Sequence, residues 1–407
     1  MRILISGASI AGPVLSYWLT RSGFDVTVVE RAPTLRKTGG HAVDLFRPSM
    51  EISSKMGVLP RIEELATGTD ALTLHRKGRR AARIDLTKIV AAASDQHVEI
   101  MRDDLSEIYY DAGRDHVEYL FGDSITVIAD DGDVTFENAA PRRFDVVVGA
   151  DGLHSNVRRL VFGDEAGLTR FIGGYLAVLS APKSLSVDGE MVVHFGAGRL
   201  AGIYSAQHLD DARALFMFRS KEELQYHHRD VLRQKQLLGD VFAGMDSEVD
   251  RWLDELDHTP SFYFDSITQL QLDSWSSGRV TLVGDAGYCP GPAVGGSTSL
   301  AVVGAYVLAG ELARAHGDYP AAFSAYESTM REPVLRSRAF ARGAAKSLVP
   351  SSRAAAWAMS QAVQLVSLLP ASLTRAVAKF NTKGVRMHDS MRVPDYSAVW
   401  QHSQHEA

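Results

Sequence analysis

The sequence predicts an α/β fold in which a parallel sheet is interrupted by an antiparallel one. Three stretches carry that expectation: each is a short apolar run that ends in a tight turn of glycine and small residues. They start near Arg2, Phe144 and Val280. Continuous apolar runs are how strands covered on both faces read, and a helix directly after each is the crossover a parallel sheet needs.

The first stretch is Ile3-Leu4-Ile5-Ser6-Gly7-Ala8-Ser9-Ile10-Ala11-Gly12-Pro13, then a helical pattern to Ser22, then Asp25-Val26-Thr27-Val28-Val29-Glu30. Strand, glycine turn, helix, strand and acid follow in the order of the dinucleotide-binding fingerprint. Gly7 permits the sharp turn, and Gly12 lets the helix lie close to the strand. Ser9 stands where the pattern has its second glycine, beside the expected pyrophosphate, with Ala11 in the same turn. Glu30 ends the second strand where it can bond an adenosine ribose, and Arg31 follows it.

The second stretch runs Phe144-Asp145-Val146-Val147-Val148-Gly149-Ala150-Asp151-Gly152-Leu153-His154-Ser155-Asn156 and leads to Arg158. Ser155 and Asn156 are helix N-caps. Asp151 reads either as a local turn former or as a ligand group. The third stretch is Val280-Thr281-Leu282-Val283, then Gly284-Asp285-Ala286-Gly287-Tyr288-Cys289-Pro290-Gly291-Pro292. Gly295-Gly296-Ser297-Thr298 then opens a helix rich in Ala, Val and Leu. A carboxylate at Asp285 can accept bonds from sugar hydroxyls. The following helix start offers N–H donors and about half a positive charge to an electron-rich ring edge.

Between these pieces, residues 188–196, 199–207 and 212–219 alternate and are separated by turn signals, which predicts an antiparallel sheet. Residues 221–244 read as one or two polar helices. Residues 351–379 place Trp357, Met359, Val363, Leu365, Val366, Leu369, Leu373 and Val377, with Phe380 just beyond, at helical spacing. Pro370 divides that pattern in two. Docking across both units is expected, with a membrane-surface helix as the alternative. The expected division is a discontinuous nucleotide unit (1–75, 101–168 and 276–345), an inserted sheet unit (76–100 and 169–275), a helical segment (346–385) and a tail (386–407).

At 407 residues the chain has room for two or three domains. A net charge of −6 without a basic run argues against a nucleic-acid partner. Cys289 is the single cysteine, so no intrachain disulfide can form. No apolar run is long enough to span a membrane, no signal-peptide pattern opens the chain, and the cytoplasm is the expected compartment. The fourteen histidines show no metal spacing, so no metal is expected. The adjacent pair His227-His228 reads as exposed side chains on a helix.

Taken together, the three motifs resemble the single-component FAD-dependent aromatic monooxygenases, the para-hydroxybenzoate hydroxylase-like group, over most of residues 1–345. Arg102, in Val98-Glu99-Ile100-Met101-Arg102-Asp103, matches an arginine that family members turn toward the cofactor. The resemblance implies a Rossmann-like FAD-binding domain, an inserted antiparallel-sheet substrate domain and a C-terminal bridging helix. It implies roles for Glu30 at the adenosine ribose, Arg102 at the flavin-ribityl region and Asp285 at the ribityl chain or pyrophosphate. The backbone from Gly295 to Thr298, preceded by Pro292, would meet the pyrimidine edge of the flavin. Asp151 and Gly152 would serve FAD and the nicotinamide cofactor, which has no separate domain. Arg47, after the His41-Ala42-Val43-Asp44 segment that should pass near the flavin, is a further candidate to hold the ring. Tyr288 and Ser297 depart from the family, which has histidine and glycine at these positions. The wording from Gly284 to Leu312 is similar to the tetracycline-inactivating and related antibiotic-modifying branch.

The expected reaction uses NADPH or NADH and O2 to hydroxylate an aromatic or enolic polycyclic small molecule. The flavin drives the chemistry, so no catalytic side chain is assigned. Arg199 is the expected substrate anchor on the sheet. The alternatives are an FAD-dependent reductase or dehydrogenase of the same fold and a non-enzymatic drug-binding flavoprotein. A flavin-dependent halogenase lacks support, because its Trp-x-Trp-x-x-Pro signature is absent. The donor's 2′-phosphate and the oligomeric state are left open.

Overall fold

The computed structural model describes residues 1–35, 40–75, 81–86, 97–292, 296–368 and 383–402. The apolar runs form a six-stranded sheet. Its parallel members lie in the order Val280–Leu282, Val146–Gly149, Arg2–Ser6, Asp25–Glu30 and Glu118–Phe121, and Ser276–Ser277 is antiparallel at one edge. Ile3, Leu4, Val146, Val147 and Leu282 are fully buried, as strands covered on both faces must be. The strand order reverses between Arg2–Ser6 and Val146–Gly149. In such a sheet the crevice beyond the carboxyl ends of those two strands is where ligands bind. Helix Ala11–Arg21 packs on helix Ser297–Arg314, most of which is buried.

A seven-stranded sheet forms the second unit, in the order Phe262–Leu270, Thr169–Pro182, Asp211–Arg219, Arg199–Tyr204, Glu190–Gly196, Ala71–His75 and Ala82–Asp85. Alternation gives it two faces. Tyr175, Ala177, Val192, Ala201, Ala214 and Phe216 pack under helices Val231–Phe242 and Ser247–Leu253. Tyr204 and Leu215 face the other way, with Ala42 and Met101 of the nucleotide unit.

Several boundaries differ from expectation. Strand Ala71–His75 lies in the seven-stranded sheet, parallel to Glu190–Gly196, so that sheet is mixed and begins before residue 76. His97–Met101 pairs instead with Ala42–Phe46, across the nucleotide unit. Residues 221–230 are turn and coil rather than helix, and His227 and His228 stack on each other at 4.5 Å.

The tail crosses from one unit to the other. Helix Arg353–Leu368 packs on Ala82–Asp85 and Glu190–Gly196. Helix Lys383–Asp389 packs on Tyr319–Leu348, Arg47–Lys55 and Ala42–Phe46, and Ser397–His402 packs on Ser297–Arg314. Leu369, Pro370, Leu373, Val377 and Phe380 lie outside the described residues. Trp357 and Leu365 are exposed, because Ala356, Ser360 and Val363 form the face that meets the sheet. Among the described residues, no helix is long and apolar enough to cross a membrane.

Candidate functional site

The first turn is packed to its limit. Gly7 has φ 108°, and a Cβ there would come 2.5 Å from the Ala150 carbonyl oxygen of the neighbouring turn. A Cβ on Gly12 would fall 1.9 Å from the Gly7 carbonyl oxygen. Ala11 is buried in the first turn of its helix. Glu30 accepts from the Ala8 and Ala32 amides at 3.0 and 2.9 Å, one on each carboxylate oxygen. Each oxygen keeps a second lone-pair direction for a ribose hydroxyl. Arg31 is exposed beside it. Arg102 reaches back to the Ser9 hydroxyl at 3.2 Å, which brings a cation to the start of the first helix.

The second turn is held from within. The Asp151 carboxylate accepts from the Ser6 and Ser155 hydroxyls and from the Asn156 and Val157 amides, at 2.5 to 3.3 Å. Burial pushes its pKa up, against those hydrogen bonds. Two of these donors are the first amides of helix Asn156–Phe162, so Asp151 steadies that helix start beside its cap Ser155, as a turn former does. Gly152, at φ 79°, has nothing within 4 Å of where a Cβ would stand, so its backbone is open to close approach. Arg158, almost fully buried, donates to the Leu153 and Ala286 carbonyls and so ties this turn to the third one. His154 leaves the nucleotide unit to meet Asp265 of the sheet at 3.1 Å and Glu165 at 3.3 Å.

In the third turn Ser297 hydrogen-bonds Asp285, which joins the carboxylate to the start of helix Ser297–Arg314. The departure to serine at this position thus has a structural partner. Cys289 is fully buried, and burial, followed by the nearby Asp285, pushes its thiol well above the usual range. Gly296 is left-handed at φ 85°; Pro292 and Thr298 are half-buried, and Gly295 lies outside the described residues. Tyr288 points away from the turn: its hydroxyl bonds Tyr326 at 3.2 Å and its ring meets Trp275. Ser299 receives the Phe46 amide and bonds Ser49, which fixes the strand expected to pass near the flavin. Arg47 is exposed at the start of helix Arg47–Lys55, its amide bonded to Asp389.

His388 of the tail and Tyr263, Tyr204 and Arg213 of the sheet were not found by sequence reasoning; they gather round the His41–Asp44 segment and the third turn. The His388 ring fills the space beside Gly296, where a Cβ would meet its Cε1 at 1.8 Å, and stacks on Phe46 at 4.9 Å. Burial lowers its pKa to about 4, and its Nε2 has no hydrogen-bond partner among the described residues. His41 tilts against Tyr263 at 5.8 Å. Burial, and then the Arg102 charge, lower its pKa to about 4. Tyr204 accepts the Ala42 amide and Arg213 donates to the Gly40 carbonyl, so the inner sheet face grips the same strand from below.

Arg199 does not belong to this group. It shares the face of Ala201 and Ile203, and its guanidinium bonds the Val241 carbonyl of the outer helix Val231–Phe242. The register of the Gly196–Arg199 hairpin turns it to the side away from the nucleotide unit, which corrects the expected substrate anchor.

The three turns converge on one crevice with the features a two-headed nucleotide requires: a glycine cradle at one end and a helix start with an orphaned buried imidazole at the other. These residues fit FAD. Residues 1–337 match the family described as FAD binding domain. An uncharacterized protein of Mycobacterium tuberculosis is 42% identical over 348 residues, covering 83% of this chain and 91% of its own. A flavin-dependent monooxygenase of Legionella longbeachae is 36% identical over 343 residues, with 84% and 87% covered. The crystal structure of tetracycline destructase Tet(51) superimposes with a TM-score of 0.80 at 32% identity, covering 97% of this chain and 99% of that one. The chain belongs to the FAD-binding family of flavin-dependent monooxygenases.

Proposed function

We propose that the substrate is an aromatic or enolic polycyclic small molecule of the tetracycline type, bound between the inner sheet face and the third turn. The observation that carries this reading is the meeting of His41, Arg102 and Tyr263 between the two units. The likeness to tetracycline destructase Tet(51) supports it. Bound FAD would supply the redox chemistry that couples NAD(P)H, a proton and O2 to one oxygen atom in the substrate and one in water.

The side chains supply placement and proton handling. In this reading Glu30 receives the adenosine ribose, and Arg102 with Ser9 holds the phosphate and ribityl region. Asp285, steadied by Ser297, bonds the ribityl hydroxyls, and the Gly296–Thr298 helix start faces the pyrimidine edge. Arg47 and Arg31 remain candidate outer contacts, and Gly152 offers its backbone where the nicotinamide donor approaches. Neutral His41 accepts a hydrogen bond from a substrate enol or phenol, and the Arg102 charge beside it favours the enolate, whose ring carbon is electron-rich. Burial of the Tyr263 ring keeps its hydroxyl protonated and able to donate. The parallel sheet is the cofactor unit, the seven-stranded sheet the substrate unit, and the cytoplasm the compartment that provides the donor.

The test is mass spectrometry of a tetracycline incubated with FAD-loaded protein, NADPH and isotopically labelled O2. One labelled oxygen atom in the product is expected. NADPH oxidation that yields only peroxide would remove tetracyclines from the substrate class, and product formed without oxygen would overturn hydroxylation.

A further inference from the structure

His75 and His194 stand opposite one another on neighbouring parallel strands, as register partners of Ala71–His75 and Glu190–Gly196. The strand spacing of about 4.8 Å therefore fixes their separation. Their rings meet at 5.2 Å. Above them the first turn of helix Ser247–Leu253 brings down Glu248. A single oxygen of its carboxylate, Oε2, lies 2.8 Å from His75 Nδ1 and 3.0 Å from His194 Nε2. Asp246, the cap of that helix, has Oδ2 3.8 Å from the other nitrogen of His194.

We propose that His75, His194 and Glu248 bind a first-row divalent transition-metal ion, with Zn2+ the best match. Two imidazole nitrogens and one carboxylate oxygen form a donor set for such ions, and all three ligand atoms lie within 4.8 Å of one another. Around zinc all three atoms would stand about 3.3 Å apart, an adjustment that side-chain rotation supplies. The site is built on one side and open on the other. His194 is 5% exposed and packs edge-on to Trp252, while His75 is 39% exposed and gives solvent, and the ion, a way in. Asp246, 3.8 Å from the other His194 nitrogen, would need only a small rotation to become the outer carboxylate that orients a ligating histidine. Burial favours the neutral, ligating form of His194. No sequence motif announces the group, because strand pairing rather than local spacing brings it together.

The ion would join three segments that no other covalent or metal link connects among the described residues: the strand arriving from the nucleotide unit, its sheet neighbour and the helix over them. His194 lies on the outer sheet face with Trp252, so the ion would not reach the flavin crevice. Binding, not turnover, is therefore the readout.

The experiment uses chelator-treated, FAD-loaded full chain and a Co2+ titration followed by visible absorption and calorimetry, with Zn2+ as competitor. Roughly one equivalent of Co2+ displaced by Zn2+, and a Zn2+-dependent rise in Tm, are expected. His75→Ala and Glu248→Gln, both at exposed or half-exposed positions, should each weaken binding more than about 10-fold at unchanged FAD content. No saturable binding, or binding unchanged in both variants, overturns the proposal and leaves the group as an ion-paired cluster.

Discussion

A Cβ on Gly12 would lie 1.9 Å from the Gly7 carbonyl oxygen, whereas one on Gly152 would meet nothing within 4 Å. The two glycines therefore respond differently to alanine. Gly12→Ala must push the helix from the strand, costing about 1–3 kcal/mol as overpacking does, and should lose most of its FAD. Gly152→Ala meets only the strain of a positive φ, about 1–2 kcal/mol, and should keep its FAD. Absorbance ratios of flavin to protein, with denaturant midpoints, separate the two. His41 and His388 are both held neutral by burial but touch different groups, the Tyr263 ring and the Gly296 turn. As a neutral acceptor of one substrate hydrogen bond, His41 should cost about 10-fold in kcat/KM when replaced by alanine, with FAD content unchanged. With a pKa near 4, its acid limb lies below about pH 5, so a rate that climbs through pH 6–7 would argue against that role. His388→Ala, in contrast, should weaken FAD binding and shift the flavin absorption, because the imidazole rests against the Gly296 turn.

At the scale of elements, the His154 loop is the place where the nucleotide unit and the sheet exchange charge. Burial opposes protonation of His154, but Asp265 and Glu165 outweigh it and raise the pKa to about 10, while His228 stacks on the ring at 4.5 Å. The folded-state value stands above the unfolded value near 6.5. The contribution to stability is therefore complete below about pH 6.5 and drains away as pH rises toward 10. Thermal scans from pH 6 to 10 should show a falling Tm, and Asp265→Asn should flatten that slope; an equal slope in the variant would sink the assignment. The three turns were legible in the sequence because each is local: strand, small residues and helix start stand side by side in the chain. The direction of Arg199 was not, since one residue of strand register decides which face it takes. Nor was the inner face of His41, Tyr263 and Tyr204, whose members come together only when a strand of one unit lies across the sheet of the other. The membership of Ala71–His75 in the large sheet was hidden for the same reason, as its partner is far along the chain.

For the whole molecule, the tail decides whether two units behave as one. Tyr396 lies over helix Ser297–Arg314 and donates its hydroxyl to Glu311 at 2.6 Å, and Glu311 is only 2% exposed. Trp400 tilts against Trp18 at 5.1 Å. The exposed Lys55–Asp395 pair adds little. Tyr396→Phe leaves the buried Glu311 with Arg314 as its remaining partner among the described residues and should cost about 1–3 kcal/mol. A second substitution tests the same packing through its sign. Gly310 sits inside the long buried helix, where alanine in place of glycine ordinarily adds about 0.5–1 kcal/mol. Here its Cβ would come within 2.3 Å of the Tyr396 ring. If the tail is seated as described, Gly310→Ala must lift Tyr396 off the helix, lower Tm and expose the flavin crevice through the displaced His388. If the tail contributes nothing, the same change raises Tm by improving the helix. The direction of that shift, read together with FAD release in the same scan, states whether the C-terminal segment holds the cofactor unit closed.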